Sequence, residues 1–397
     1  MLRPFRADFN RRFTPEKYCS FLSRLDQRCG TPVKFRVAET PCFFPKSLLD
    51  QMAAEGVELV HQLVNSSHYR RQSDKAIPAE FNVANESERP MFLQVDFGLT
   101  RNGNGAIEPK LVELQAFPSL YAYQPALTRQ YCESYGLDSQ LNAFLSGLDF
   151  DSYRELLCKA IVGEHAPENV VLMEIDPEEQ KTLPDFILTR QLCAIETVNV
   201  RDIRTRGREL YYERDGKQIR IERIYNRMIV DEIVRKGISL PFDLRDDLEV
   251  EWAGHPNWYF RISKFSIPFL KHRSVPRTWF LDELKSIPAD RENYLLKPLY
   301  SFAGIGIKFA PSDADLAAIP PEHRHNYILQ ERIAFEPVID TPHGATQAEI
   351  RIMYIWLEDD PQPTPVLTLV RMGRGKMMGV DHNRNLEWVG GSAGLWS

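Results

Sequence analysis

The sequence of 397 residues lacks several patterns that would reveal its class at once. No run approaches the roughly 20 consecutive apolar residues of a membrane-spanning helix, and no apolar stretch of signal-peptide length follows the basic N-terminus. The motifs G-x-x-x-x-G-K-[ST] and G-x-G-x-x-G are also absent. These absences argue against a membrane protein, a secreted protein, a Walker-type nucleotide site and a Rossmann dehydrogenase.

There is also no excess of positive charge and no cluster of cysteines. The 49 Lys and Arg residues are outnumbered by 55 Asp and Glu residues, so the formal net charge is −6. Because this balance provides no general attraction to phosphate backbones or anionic lipids, neither nucleic acid nor membrane is expected as a partner. The six cysteines are far apart, and we expect reduced, mostly buried thiols in a cytoplasmic protein.

The remaining composition is typical of a folded globular protein, with 43% hydrophobic and 26% charged residues. At roughly 150 residues per domain, the chain has room for two or three domains. Helical and strand-like segments alternate, which predicts an α/β (α+β) fold. The pattern divides the chain into a helical and loop-rich region, a strand hairpin followed by a helix, a small α/β unit, and a strand-rich region. The ranges are 1–90, 91–150, 151–245 and 246–397.

Several elements are predicted individually. Thr14 before Pro15 is a helix N-cap signal, and residues 45–64 have the period of an amphipathic helix. The turn residues 102–105 lie between two strand-like runs, which predicts a hairpin. Further predictions are helix over most of 121–160, a hairpin turn at 215–216, a helix start near 276–278 and a strand over 377–380.

The most informative segment is 294–309, YLLKPLYSFAGIGIKF. A strand ends at Lys297 and is followed by the small residues Ser301, Ala303, Gly304 and Gly306. Small residues let backbone N–H groups approach phosphate oxygens, while the lysine supplies a positive charge to the same group. An ordinary glycine hairpin with a surface lysine is the alternative.

The segment YILQERIAFEP places Gln330, Glu331 and Glu336 at and beyond the end of an apolar strand. Such a strand end suits an adenine ring, and a nearby carboxylate suits ribose hydroxyls, although a solvated acidic loop would look the same. In AEIRIMYIW, alternation places Arg351 on one face with Glu349 and Met353. Arg351 is therefore either a salt-bridge partner or a ligand for a phosphate group.

The order of these parts resembles the ATP-grasp superfamily. The resemblance covers Lys264 ahead of VPRTWFL, Lys297 with its loop, the hinge Gln330-Glu331-Arg332-Ile333, Glu349-x-Arg351, Arg371, and Asn385 followed by Gly390-Gly391. The metal-binding segment of that superfamily would come next, but the chain ends at Ser397.

A similar segment is found instead near the N-terminus. VDFGLTRNGNGAIEPKLVELQAFPSL has Asp96 in one strand and Glu113-x-Gln115 in the next, before Ser119. The whole pattern therefore resembles circularly permuted ATP-grasp proteins, including the glutathionylspermidine-synthase-like carboxylate–amine ligases. Asn226 and Arg227, in IERIYNRMI, resemble a strand end that precedes the nucleotide domain in such proteins.

The resemblance implies an ATP- and Mg²⁺-dependent ligase that joins a small-molecule or peptide carboxylate to an amine through an acyl phosphate. It assigns Asp96, Glu113 and Gln115 to Mg²⁺ and the lysines to the ATP phosphates. Arg351 and Arg371 would stabilise the transferring phosphoryl group and the acyl phosphate, and Lys297 is counted with them among the catalytic residues. The implied contacts to nucleotide are Lys264, Lys297, Ser301, Ala303, Gly304, Gly306, Gln330, Glu331, Arg332, Ile333 and Glu336, and those to substrate are Ser119, Asn226, Arg227, Asn385, Gly390 and Gly391.

Three alternatives remain open at this point: a kinase that phosphorylates a hydroxyl, a noncatalytic nucleotide-binding module, and an unrelated structural protein. Phe117, Tyr121 and Tyr123 either line an acceptor site or pack in the core, and packing is the favoured interpretation for the two tyrosines. A homodimer is the commonest assembly for a protein of this kind.

Overall fold

The computed structural model describes residues 1–300, 305–379, 383 and 385–397. Of the predicted phosphate loop, Ser301, Ala303 and Gly304 lie outside the described residues, and so does Val380 of the predicted strand over 377–380. None of the helices in the described ranges combines the length and apolar character needed to cross a bilayer.

The N-terminal region is helical, as predicted. Its helices are α1 (Arg3–Arg12), α2 (Pro15–Cys29), α3 (Lys46–Val64) and α4 (Ser67–Ser73). The Thr14 side chain accepts a hydrogen bond from the Lys17 N–H, which confirms the predicted cap of α2. Gly30 ends the same helix with a φ of 69°, a left-handed conformation that favours glycine.

Seven strands form the central sheet. They are β1 (Cys42–Phe44), β2 (Phe92–Arg101), β3 (Ile107–Gln115), β15 (Ile339–Thr341), β16 (Gly344–Ile355), β17 (Thr364–Gly373) and β18 (Gly390–Trp396). Their order is β1-β18-β17-β16-β2-β3, and β15 pairs with β16. β1 is parallel to β18, and the other pairs are antiparallel. The central sheet therefore takes strands from three of the four predicted ranges, 1–90, 91–150 and 246–397. The division of the chain into these four ranges remains a prediction.

The two faces of the central sheet differ in chemistry because residues alternate along each strand. On one face Val95, Ile350 and Val370 lie in a core that includes the buried side of α3. The other face carries the polar residues of β2, β16 and β17, with apolar residues of the same strands packed further along in a second core. The predicted alternation over β16 is confirmed.

A smaller parallel sheet has the order β10-β9-β4-β5. Its strands are β4 (Val170–Glu174), β5 (Glu196–Asn199), β9 (Arg223–Asn226) and β10 (Glu251–Ala253), and the helices α6 (Phe150–Val162), α7 (Leu183–Cys193) and α8 (Val230–Lys236) accompany it. A three-stranded hairpin sheet is inserted before β9: β6 (Arg204–Arg206), β7 (Glu209–Arg214) and β8 (Lys217–Ile221). Asp215 and Gly216 form its predicted turn, both with positive φ.

A third unit, which we call the outer sheet, has the order β11-β14-β12-β13. It comprises β11 (Thr278–Phe280), β12 (Tyr294–Pro298), β13 (Lys308–Phe309) and β14 (Tyr327–Glu331), with α10 (Asp313–Ala317) between β13 and β14. The remaining helices are α5 (Tyr123–Tyr135) and α9 (Asn257–Arg261). Short 3₁₀ helices cover Asp74–Ala76, Ala79–Phe81, Pro167–Asn169, Pro177–Glu179, Val200–Asp202, Lys264–Phe269, Arg291–Asn293 and Pro321–Asn326.

Three local predictions are corrected. The helix predicted over 121–160 is two helices, α5 and α6, because Gly136 ends the first with a φ of 56°. The helix start predicted near Thr278 is a strand, because Thr278 pairs with Gln330 of β14. Residues 377–379 form a loop rather than a strand, since the Asn383 side chain donates to the carbonyl groups of Met377 and Gly379.

The cysteines also differ from expectation. Cys158 of α6 and Cys193 of α7 form a disulfide, with their Cα atoms 5.2 Å apart. The other four are free thiols, of which Cys29 and Cys42 are buried and Cys19 is exposed. The prediction of six reduced thiols therefore fails at one pair, because the packing of α6 against α7 places two distant positions side by side.

Replacing Cys158 with serine is expected to lower the free energy of unfolding by about 2–4 kcal/mol, because the crosslink restrains a long loop in the unfolded chain. The two cysteines are 35 residues apart. Denaturant unfolding measures the effect, with the exposed Cys19→Ser as the matched control, for which we expect a change within about 0.5 kcal/mol. Six titratable thiols in unreduced, denatured protein, instead of four, would contradict the pairing.

Candidate functional site

A cavity of about 900 Å³ lies between the polar face of the central sheet, the outer sheet and the first turns of α5. It collects half of the residues that the sequence assigned to a site, although they come from distant parts of the chain. Those that line it are Glu113, Gln115, Ser119, Lys264, Lys297, Gln330, Arg332, Ile333, Arg351, Arg371 and Gly391.

Two lysines form one part of the wall. Lys297, on β12, is buried, and Lys264, at the start of a 3₁₀ helix, is buried and donates to the Leu299 carbonyl at 3.4 Å. Burial lowers the pKa of Lys297 to about 8, with the charge of Lys264 acting in the same direction and that of Glu113 opposing it. An anion placed beside these two ammonium groups would restore the ordinary preference of Lys297 for its charged form.

The central sheet contributes a buried network of two arginines and two carboxylates. Arg351 donates to both oxygens of Asp96, from Nε at 2.6 Å and from Nη2 at 2.7 Å. Arg371 donates from Nη1 to Asp96 at 3.0 Å and also to Glu349. Both guanidinium groups border the cavity, so the carboxylates fix their direction from behind.

The protonation states follow from burial and from these contacts. Burial alone would raise the pKa of Asp96, but the charges and hydrogen bonds of Arg351 and Arg371 outweigh it and lower the pKa to about 2. Burial raises the pKa of Glu349, and Arg371 opposes this effect. The pKa of Arg371 is raised because the two carboxylates more than compensate for its burial. Asp96 and Arg371 are therefore charged at neutral pH.

This network occupies Asp96, whose role as a metal ligand remains a prediction. Asp96 does not line the cavity, because both of its oxygens accept hydrogen bonds from the arginines. Glu113 and Gln115 do line it, on β3 beside a register shift that leaves Val112 unpaired with β2. No group of three or more His, Cys, Asp or Glu residues with metal-binding geometry occurs in the described part of the chain.

A magnesium site at this position would thus be built from fewer protein ligands than predicted. Mg²⁺ is usually held by one or two carboxylates together with substrate phosphates and water. The Glu113 carboxylate and the Gln115 amide oxygen provide hard oxygen donors on the cavity wall. These two residues fit such a site, whereas Asp96 serves the arginines.

Three residues of the nucleotide hinge predicted over 330–333 line the cavity: Gln330, Arg332 and Ile333. Gln330 is fully buried, and neither its amide oxygen nor its amide nitrogen has a hydrogen-bond partner among the described residues. Arg332 and Ile333 lie beside it on the wall. Glu331 accepts hydrogen bonds from Arg277 outside the cavity, since side chains alternate along β14, and its predicted nucleotide contact remains a prediction.

Glu336 and Gly306 also lie away from the cavity wall. The Glu336 carboxylate accepts hydrogen bonds from Arg101, and its predicted ribose contact remains a prediction. Gly306 is exposed with a φ of 78°, next to Pro298, while its neighbour Ile307 contributes to the wall. Phe335 packs closely against Gly98, so that a Cβ at position 98 would lie 2.7 Å from the Phe335 ring.

The predicted substrate residues are divided between the cavity and the core. Arg227 is buried between the rings of Phe117 and Phe186, 5.3 Å from each centroid, with a charged partner in Asp185 at 3.7 Å. Its Nε and Nη1 have no hydrogen-bond partner among the described residues. Arg227 itself is not on the cavity wall, whereas Phe117 is.

The structure places three further residues predicted to contact substrate away from the cavity wall, and their substrate role remains a prediction. Asn226 has a structural role, because its side-chain oxygen accepts the Met228 N–H at 3.2 Å. Asn385 is exposed and does not line the cavity. Gly390 packs against the Arg36 carbonyl, which a Cβ would approach to 2.5 Å, so its neighbour Gly391 alone reaches the wall.

Sequence reasoning missed several wall residues. Among the described lining residues, eight are cationic and only two are acidic, Glu113 and Glu349. The cationic residues are Lys181, Lys264, Lys297, Arg332, Arg351, Arg371, Arg374 and Lys376. Of these eight, Lys181, Arg374 and Lys376 had been assigned no role from the sequence. The basic, glycine-rich run GRGK at 373–376 was a usable signal for Arg374 and Lys376, but nothing in the local sequence indicated Lys181. The excess of positive charge suits a polyanionic ligand.

The sequence left open whether Phe117, Tyr121 and Tyr123 line an acceptor site or pack in the core, and it favoured packing for the two tyrosines. Tyr121 is a core residue, since its hydroxyl donates to the carbonyl of Leu93 or Tyr354, both at 2.8 Å. Tyr123 is also buried but contributes to the cavity wall, as do Phe117 and Phe35. Phe35 belongs to the N-terminal region, for which the sequence indicated no part in a site.

Comparison with known proteins finds similarity in structure and not in sequence. No known protein family and no curated protein matches the sequence. Among solved structures, the chain is similar to a glutathione synthetase-like effector from Globodera pallida in its apo form, with 12% identity and a TM-score of 0.55. The match covers 90% of this chain and 96% of that protein.

The fold and the cavity together define a mixed α/β protein with several sheets around a cationic cleft. Its fold is similar to that of the glutathione synthetase-like effector. At 12% identity the likeness concerns the fold alone.

Proposed function

We propose that this protein is an ATP- and Mg²⁺-dependent ligase that joins a carboxylate to an amine through an acyl phosphate, on a circularly permuted ATP-grasp fold. The observation that carries the proposal is the meeting of Lys264 and Lys297 with Arg351 and Arg371 on the wall of one cavity. Lysines suit the resting phosphates as compact charges, and arginines suit the transferring group through their planar forks. The glutathione synthetase-like fold supports the same class.

The first task of the site is to bind ATP. The excess of cationic over acidic wall residues supports binding of a triphosphate, and Lys297 gains a full charge when an anion is near. Gln330 offers a buried donor and a buried acceptor that have no partner among the described residues, a pairing that suits the edge of the adenine ring. Glu113 and Gln115 would hold Mg²⁺, which neutralises phosphate charge when bound.

The second task is to direct the transfer. A carboxylate oxygen of the substrate would attack the γ-phosphorus, ADP would leave, and the amine nitrogen would then attack the acyl carbon and release phosphate. Arg351 and Arg371 would bind the transferring phosphoryl group, and because Asp96 holds both in place before substrate arrives, little reorganisation is needed. Exclusion of water protects the acyl phosphate from hydrolysis.

Circular permutation is supported by the order of the strands. β2 and β3, from residues 92–115, lie in one sheet with β16, β17 and β18, from residues 344–396. The residues proposed for the metal and those proposed for the phosphates thus belong to opposite ends of the chain. The cytoplasmic location and the homodimer remain predictions from the sequence.

Replacing Glu113 with alanine is expected to reduce Mg²⁺-dependent ADP release, in the presence of pooled carboxylates and amines, by at least about 100-fold, because a ligand carboxylate is lost. The matched control is Glu108→Ala on the same strand, where Glu108 pairs with Lys110 at 3.0 Å. This control should retain activity within a factor of about two.

Other outcomes would contradict the proposal. ATP binding without turnover in any substrate pool would contradict a ligase and indicate a noncatalytic nucleotide-binding module. A stable phosphorylated product without an amide would indicate a kinase. Equal ADP release by wild type and Glu113→Ala would contradict the metal assignment alone.

A further inference from the structure

Gln124, in the first turn of α5, is an unusual wall residue of the cavity. It is 1% exposed, and its Nε2 donates to two backbone carbonyl groups, those of Thr368 and Ser392, each at 3.0 Å. Reversing the amide would place its oxygen against both carbonyl oxygens, so these contacts determine which atom is which.

The amide oxygen of Gln124 is consequently fixed as an acceptor. It has no hydrogen-bond donor among the described residues, although the residue lines the cavity. A buried acceptor without a donor costs free energy that a ligand carrying an N–H or O–H group would recover. The donor that this position lacks is therefore expected to belong to a ligand.

The same cavity wall also has apolar members. Phe35, Tyr123, Leu127 and Leu369 line the cavity together with Gln124. The rings of Phe35 and Tyr123 meet edge to face with centroids 5.3 Å apart, and a Cβ on Gly391 would lie 4.0 Å from the Phe35 ring. A ligand group bound here would thus combine one hydrogen-bond donor with an apolar substituent.

The charge of the cavity decides the protonation state of a basic group there. Eight cationic residues against two acidic ones disfavour an added ammonium ion and favour the neutral amine. The neutral form has the nitrogen lone pair that an attack on an acyl phosphate requires.

We infer that the wall formed by Phe35, Tyr123, Gln124, Leu127 and Leu369 binds the amine substrate, as a neutral primary amine with an apolar substituent. Its N–H donates to the Gln124 amide oxygen, and its substituent packs against Phe35 and Leu127. This inference rests on the proposed ligase function and adds to it the class of nucleophile and a specificity role for the N-terminal region.

Saturation-transfer NMR at pH 9 with 3-methylbutylamine as the probe tests the inference. Wild type should transfer saturation to the probe's methyl groups, and the signal should be at least fivefold weaker in Gln124→Met, which keeps the side-chain length but lacks the acceptor. Phe35→Ala should weaken it similarly by a separate route. Gln140→Met, at an exposed position, is the matched control and should behave as wild type.

ATPγS, as a second probe, separates this inference from the proposed function. Its saturation-transfer signal should be equal in all four proteins, which a general disruption of the fold would not allow. No amine signal from wild type, an undiminished signal in Gln124→Met and Phe35→Ala, or equal binding of 3-methylbutan-1-ol would overturn the amine site. An amine signal that depends on Gln124, with no ATPγS signal from wild type, would support the amine site and overturn the proposed function.

Discussion

Replacing Asp96 with asparagine is expected to lower the free energy of unfolding by about 3–5 kcal/mol. Asp96 is 2% exposed and neutralises two guanidinium groups, that of the buried Arg351 on β16 and that of Arg371 on β17, whose side chain is 21% exposed. The asparagine amide would keep the shape, but it would leave excess buried positive charge with only Glu349 to balance it, and its NH₂ group would face N–H donors. Urea unfolding followed by circular dichroism measures the loss.

The control for this prediction is an exposed acid with the same kind of partner. Asp8 forms ion pairs with Arg11 and Arg12 on the surface of α1. Because solvent screens such pairs, Asp8→Asn should cost about 1 kcal/mol or less. Equal, small losses in the two variants would contradict a buried charge network beneath the cavity.

The contact of Asp96 with the two arginines also predicts that the protein loses stability at low pH. The pKa of Asp96 is lowered from 3.8 to about 2 in the folded protein. A carboxyl group whose pKa is lower when folded stabilises the protein fully above its unfolded pKa, and this contribution is lost as the pH falls towards the folded value. Part of the stability of wild type should therefore disappear between about pH 4 and pH 2, and Asp96→Asn should lack that part.

Replacing Lys297 with methionine is expected to weaken ATPγS binding about 10- to 100-fold, the range for losing one charged hydrogen-bond donor to phosphate. Stability should be unchanged or higher, because burial lowers the pKa of Lys297 to about 8 and the folded protein bears the cost of a buried ammonium group. Titration calorimetry and urea unfolding measure the two effects separately.

Lys285→Met provides the control, since Lys285 is exposed in the segment between β11 and β12. It should leave affinity within a factor of about two of wild type. A fall in stability that parallels the loss of affinity in Lys297→Met would contradict a binding role for this lysine and indicate a structural one.

The lowered pKa of Lys297 also gives the affinity a pH dependence. An anion prefers the charged lysine, so affinity for ATPγS should fall as the pH rises from 7 to 9.5, through the pKa of about 8. Lys297→Arg keeps its charge over that range and should show a flatter profile. An affinity of wild type that does not change with pH would contradict the assignment.

Much of the local structure was predictable because local chemistry decides it. Thr14 caps α2, the turn after Arg101 joins β2 to β3, and alternation along β16 separates Arg351 from Ile350, all as predicted. The errors occurred where a distant partner overrode the local pattern. Thr278 is in a strand because β14 lies beside it, and the Asn383 side chain holds residues 377–379 as a loop.

The candidate site shows the same division. Resemblance to a family indicated that Glu113, Lys297 and Arg351 belong together, and all three line the cavity. It did not indicate that Glu331 turns outward to Arg277, because one step along a strand reverses the direction of a side chain. Nor did it mark Gln124, whose significance depends on two carbonyl groups more than 200 positions away.

The sequence by itself determined the class of fold, the helices and strands with strong local patterns, and the set of basic and acidic residues available for chemistry. Only the tertiary structure decided which charges neutralise one another. Arg351 and Asp96 are 255 positions apart and meet because β16 pairs with β2 in the middle of the sheet. Pairing over that distance depends on the packing of the whole core, so no short segment carries the information that Asp96 serves two arginines, or that Cys158 lies beside Cys193.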